Sequence, residues 1–163
     1  MNRAQELTAE LQAESNSTKK ILERIPESKM TWKPHEKSMT LGRLGMHIAE
    51  LPRWIVRYLE TQDYDFGTAA YKPVIPESHA QIMGEFETAL SYAVGALKNS
   101  SDTELEKHWK ALNRGQIIFD LPRREVIQRG LHHLIHHRGQ LSVYLRLLGV
   151  PLPGMYGPTA DER

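Results

Sequence analysis

The sequence predicts an all-α fold, a four-helix bundle with long crossover-type linkers, and three observations carry that prediction. Four segments repeat apolar residues at the three-and-four spacing of an amphipathic helix. None of them is apolar all round, so each has one stripe to bury and does so best against the other three. The stretches between them break that spacing, and the first of them, from Pro26 to Met39, is polar and contains proline. Linkers of about 14 residues can span some 45 Å, more than the roughly 33 Å length of such a helix, so crossover connections are available and a simple up-down order is not required. At 163 residues the chain is expected to form one domain over residues 1–163 with one substantial core.

The first helix is expected over residues 3–25, with Ala4, Leu7, Leu11, Ser15, Thr18, Leu22 and Ile25 on one stripe. Ser15 and Thr18 make the middle of that stripe small and polar, which serves either close helix packing or the wall of a pocket. Pro26 and the polar run to Met39 form a linker. Thr40 is the expected N-cap of the second helix, which runs to about Thr61 with Leu44, His47, Ile48, Leu51, Ile55 and Tyr58 inward. Pro52 lies inside it, so a kink is expected, with the Ile48 carbonyl left unpaired. Residues 62–76 read as an aromatic-containing loop, a lid or a cover for the core. Ser78 and Gln81 have capping-box spacing and open a third helix to about Lys98, with Ile82, Phe86, Ala89, Ala93 and Leu97 inward and no ligating residue on that stripe. A helical turn is expected near Ser101 to Lys107, then a small hairpin around Asn113-Arg114-Gly115. The fourth helix runs from Pro122 to Leu148 and stops at Gly149 with Pro151 beyond; the tail from Leu152 is irregular.

Composition narrows the function. Lys and Arg number 21 against 20 Asp and Glu, and the signs are interleaved, so neither nucleic acid nor an anionic membrane is an expected partner. No apolar run reaches the roughly 20 residues of a membrane span, and the first residues lack the apolar core of a signal peptide, so a cytoplasmic protein is expected. There is no cysteine, so any site must work with nitrogen and oxygen, without a thiol nucleophile or a sulfur ligand of its own.

The fourth helix holds half of the chain's eight histidines, His132, His133, His136 and His137. With about 100° per residue, His137 falls within roughly 40° of the core direction, His133 within roughly 80°, and His132 and His136 roughly 140° or more away. The inner pair at i, i+4 can supply two nitrogens to one divalent ion. His47 stands in the apolar stripe of the second helix where a leucine would be expected, which makes it the natural third ligand. The competing reading is that these are satisfied core histidines. Glu50, three residues after His47, is the candidate proton acceptor nearest in sequence, about 60° round the helix; a solvated charge is the competing reading.

The run 41–49 (Leu-Gly-Arg-Leu-Gly-Met-His-Ile-Ala), the run 133–141 (His-Leu-Ile-His-His-Arg-Gly-Gln-Leu) and the ending 156–162 (Tyr-Gly-Pro-Thr-Ala-Asp-Glu) resemble the DinB/YfiT-like superfamily. The resemblance extends over the whole chain and is most specific at His137-Arg138-Gly139-Gln140. It implies a four-helix bundle of unusual connectivity, commonly a homodimer, and a divalent metal held by His47, His133 and His137. Zinc and nickel suit three imidazoles, and so does iron. Characterised members are thiol-dependent transferases and isomerases, so the resemblance implies a small-molecule substrate and a low-molecular-weight thiol that arrives as cosubstrate. A metal-dependent hydrolase and a non-catalytic metal-containing stress or ligand-binding protein are the alternatives. Arg138 is expected in a structural ion pair or a helix-end contact, with substrate contact as the competing reading, and His132 and His136 at the surface or in a subunit contact.

Overall fold

A computed structural model describes residues 2–70 and 72–162. Its long helices are α1 (Arg3–Leu22), α2 (Leu41–Glu50), α3 (Pro52–Glu60), α4 (His79–Lys98) and α6 (Arg123–Leu147), with a single turn, α5 (Asp102–Leu105), before the strands β2 (His108–Asn113) and β3 (Gln116–Pro122). Local chemistry accounts for most of the boundaries. Thr40, Ser78 and Ser101 each accept a hydrogen bond from the backbone N–H three residues on, satisfying donors that a helix start leaves open. Gln81 closes its half of the expected capping box one residue early, its Oε1 accepting from Glu77 N at 2.7 Å. Gly149, at φ 71°, ends α6 in the left-handed conformation that glycine adopts freely.

The expected kink is a full break. The single helix anticipated between Thr40 and Thr61 divides into α2 and α3 around Leu51, and Pro52 sits in the first turn of α3, where its missing N–H is not needed. The Ile48 carbonyl is not orphaned: Leu51 N donates to it at 3.3 Å in a tighter turn. Gly45 permits close approach on the other side of α2, since a Cβ there would stand 2.6 Å from Ile25 Cδ1 and 3.2 Å from Ile82 Cδ1.

α4 and α6 each pack against α1 and against the α2–α3 pair. Those two partners therefore occupy opposite corners of the bundle. The connections over 23–40 and 99–122 both cross a diagonal, and only the α3-to-α4 connection joins neighbours. This is the crossover order that the linker lengths allow.

The all-α expectation needs correction. The hairpin about Arg114 and Gly115 forms with both residues at positive φ, 51° and 78°, as a two-residue loop requires. A third strand, β1 (Asp63–Asp65), joins it in the stretch read as a loop, pairing parallel to β2 with Tyr64 opposite Ala111. Three residues are too few for an alternating pattern to show in sequence. What holds β1 is Asp65, whose carboxylate accepts from the backbone N–H of Gly67, Arg114 and Gly115, each at 2.8 Å.

The core falls into two large apolar clusters within the bundle and a smaller one, Trp109, Ala111 and Val126, where the sheet meets α6. One of the large clusters gathers Ile21, Leu22, Leu44, Ile48, Phe86 and Leu141; the other gathers Leu7, Leu11, Ile55, Leu97, Ile127 and Leu131. Each such side chain, fully buried, stabilises the fold by about 1.5–3 kcal/mol. Between the two large clusters lies a polar waist, where α1 presents Ser15 and Thr18 and α6 presents His137 and Arg138, all four buried. Among the described residues no helix is long and apolar enough to cross a membrane.

Candidate metal centre

At this waist His47 from α2 meets His133 and His137 from α6. One ring nitrogen from each lies within 4.8 Å of the other two. The ring centroids are 4.5 Å apart for His47–His137 and for His133–His137, and 5.4 Å for His47–His133. His137 is buried, His47 half-buried and His133 exposed, so His133 reaches the group from the rim of the helix face. His132 and His136 are exposed, as helical geometry predicts, although the His136 ring stands 5.0 Å from that of His137.

Electrostatics favour neutral rings. Burial is the main cause that pushes the pKa of His47 down to about 4, with the charged forms of His137, Arg43 and His133 adding to it. His133 is lowered by burial and by His137 and His136. His137 is lowered by burial, partly offset by its hydrogen bond to Gln140. Neutral imidazoles keep a lone pair, which is the form a metal ion binds.

Two hydrogen bonds organise the donors. His137 Nδ1 donates to Gln140 Oε1 at 2.7 Å, and His137 Nε2 lies 2.7 Å from His133 Nε2, a hydrogen-bonding distance for two neutral rings that share one proton. Two ligands on a tetrahedral ion with bonds of about 2.0 Å stand ~3.3 Å apart. The rings therefore need to part by a few tenths of an ångström for an ion to replace that proton. In type, number and spacing the donors fit a borderline divalent metal, and among the described residues no carboxylate joins the group.

Glu50 lies outside the group. Its carboxylate accepts from Arg43 Nη1 at 3.1 Å in a largely buried pair. It also lines an open cleft of about 1020 Å³ between α2–α3 and α4, together with Trp54, Arg57, Tyr64 and Tyr92; none of the three histidines lines that cleft. Arg138 makes the expected structural ion pair, with Glu14 at 2.7 Å. It also donates to the Glu14 carbonyl, to Thr18 Oγ1 and to the Tyr156 hydroxyl, which itself donates to Glu14. Thr18 thus serves as an acceptor inside the bundle. The sequence reading missed Gln140 as the partner of His137, for which the i, i+3 spacing was the available signal.

The profile of the DinB family matches residues 1–163. The chain belongs to the DinB family. As a DinB member it is similar to the uncharacterized protein YrdA of Bacillus subtilis strain 168, 26% identical over 150 residues that cover 91% of this chain and 85% of that one. In fold it is similar to a DinB-like protein from Bacillus cereus ATCC 10987, with TM-score 0.71, 23% identity, and coverage of 89% and 92% of the two chains. It is also similar to YfiT from B. subtilis, described as a probable metal-dependent hydrolase with an unusual four-helix bundle topology, with TM-score 0.67, 13% identity, and coverage of 90% and 87%.

Proposed function

We propose that His47, His133 and His137 hold one divalent metal ion, zinc or nickel by donor type with iron also accommodated, and that the protein is a metal-dependent enzyme transferring a low-molecular-weight thiol to an electrophilic small molecule. The observation that carries this reading is the donor set itself: three neutral nitrogens converge, and no fourth protein ligand joins them among the described residues. A structural ion is usually closed by four protein ligands, whereas a working one keeps a position open. A divalent ion bound there supplies positive charge that lowers the pKa of a thiol or water in its open position.

The choice of thiol over water rests on Glu50. A hydrolytic route wants a carboxylate or imidazole free to take a proton from water, and Glu50, the acidic candidate nearest His47 in sequence, is engaged by Arg43. A thiol is acidic enough to need no such base once it meets the ion. With no cysteine in the chain, the sulfur must arrive from outside. A homodimer is also proposed, supported by Val143 and Leu147 exposed on the outer face of α6.

Elemental analysis of protein prepared without an affinity tag should find about one metal per chain, as expected for a single three-histidine site. The metal-loaded protein, given a panel of low-molecular-weight thiols and a chromophoric electrophile, should turn over with at least one thiol, and His137→Ala should abolish that turnover while Glu50→Gln spares it. The hydrolase reading, which the likeness to YfiT favours, takes over if an activated ester is cleaved without thiol and Glu50→Gln abolishes the cleavage. Absence of turnover with every thiol and ester would leave a binding protein.

A further inference from the structure

We infer that Gln140 is a positioning residue for this centre: its side-chain carbonyl takes the Nδ1–H of His137 and so holds the proton off Nε2, the nitrogen that faces His133. The inference rests on the reading of the three histidines as metal ligands, and it adds a residue outside the ligand set.

A neutral imidazole carries one N–H, and the partner of one nitrogen decides which form of the other is presented. His137 is the most buried of the three rings. Its Nδ1 is 2.7 Å from Gln140 Oε1 and its Nε2 is 2.7 Å from His133 Nε2, so Gln140, His137 and His133 lie in one hydrogen-bonded chain. The chain can run in two directions. With Gln140 accepting, Nε2 of His137 keeps its lone pair and aims it into the group. With the amide nitrogen donating instead, Nε2 carries the proton and His137 has nothing to offer an ion.

Only the first direction makes a ligand of His137, and the placement of Gln140 suits it. Three residues on along α6, the amide shares a helix face with the ring. The contact is thus built into one helix and needs no tertiary support. An amide carbonyl orients the ring as a carboxylate would, but without negative charge, so a bound ion keeps its full effect on what it binds. Gln140 is itself exposed, so it can be replaced without opening the core.

The test reads tautomers and metal affinity separately. Nitrogen-15 spectra of the metal-free protein should show His137 protonated at Nδ1 in the wild type and at Nε2, or a mixture of the two, in Gln140→Leu. Zinc affinity, measured by competition with a chromophoric chelator, should weaken about 10- to 100-fold in Gln140→Leu. The absorption spectrum of the cobalt-substituted protein should change in the same variant, while circular dichroism and the melting temperature of metal-free protein stay as they were. Gln140→Glu, whose ionised carboxylate can only accept, should restore zinc affinity to within a few-fold of wild type.

The inference is overturned if wild-type His137 carries its proton on Nε2, if Nδ1 protonation persists unchanged in Gln140→Leu, or if Gln140→Glu binds zinc as poorly as Gln140→Leu. A wild type with the Nδ1–H form that takes up neither zinc nor cobalt sinks the metal reading while leaving the proton order as inferred.

Discussion

His137 and Arg138 are consecutive residues of α6, both buried at the waist of the bundle, and the protein completes one and not the other. Arg138 has a carboxylate, a backbone carbonyl and two hydroxyl oxygens around its guanidinium, and the ring of Tyr156 lies 5.1 Å away. His137 has Gln140 on one nitrogen and, on the other, only a second imidazole. A buried charge surrounded by partners supplied by the chain is finished as structure. Neutral imidazoles that have mainly one another as partners keep nitrogen donors in reserve, which is what the proposed metal ion would take up. The difference separates a brace from a site within one turn of helix.

The largest effect is expected from Arg138→Ala, which removes the buried guanidinium from the partly buried Glu14 carboxylate and should cost about 3 kcal/mol of stability in urea unfolding of the metal-free protein. Replacing both partners by apolar residues, Arg138→Met with Glu14→Leu, should recover most of that loss, as expected for a brace. A metal-free His137→Ala that fell as far as Arg138→Ala would break the contrast, because the histidines would then be core structure.

Zinc at 100 times its dissociation constant should stabilise the wild type by about 2.7 kcal/mol. The same zinc should leave His47→Ala and His137→Ala unmoved, and calorimetric melting with and without the ion would show it.

Acid should act on the site in a definite direction. Folded His47 titrates near about 4 against an ordinary value of 6.5. Within that window the unfolded chain binds the extra proton, so stability is complete above the upper value and is lost as pH falls through the window. His133 and His137 move the same way. The urea midpoint of metal-free protein should therefore drop as pH falls from about 6.5 to about 4, and His47→Gln should flatten that drop. An equal drop in both proteins would assign the acid sensitivity elsewhere.

The smallest effect is expected at the outer face of α6. His132→Gln should change stability by no more than about 0.5 kcal/mol and should leave zinc affinity as it was.

Much of the fold was legible because helices announce themselves locally. Every residue expected inward on α4 is buried, and Thr40 and Ser78 cap the helices they were expected to cap. On the site, the angular position of His137 on an apolar stripe already set it apart from His132 and His136. Helical angle paired His133 with His137 but did not foresee that His133 would stay exposed at the rim, nor that Glu50 would be engaged by Arg43 seven residues away on its own helix face. Angle gives the direction of a Cβ, whereas the reach and partner of a long side chain depend on what packs beside it.

By itself, then, the sequence determined which segments coil, where most of them start and stop, and which imidazoles point into the bundle, because caps and stripes act between residues three or four apart. Tertiary structure alone decided that β1 would lie beside β2, that α1 and α2–α3 would stand at opposite corners, and that His47 would come within reach of α6. Those are meetings between stretches tens of residues apart. Nothing in either stretch encodes such a meeting alone, and it is settled only when all the apolar stripes are buried at once.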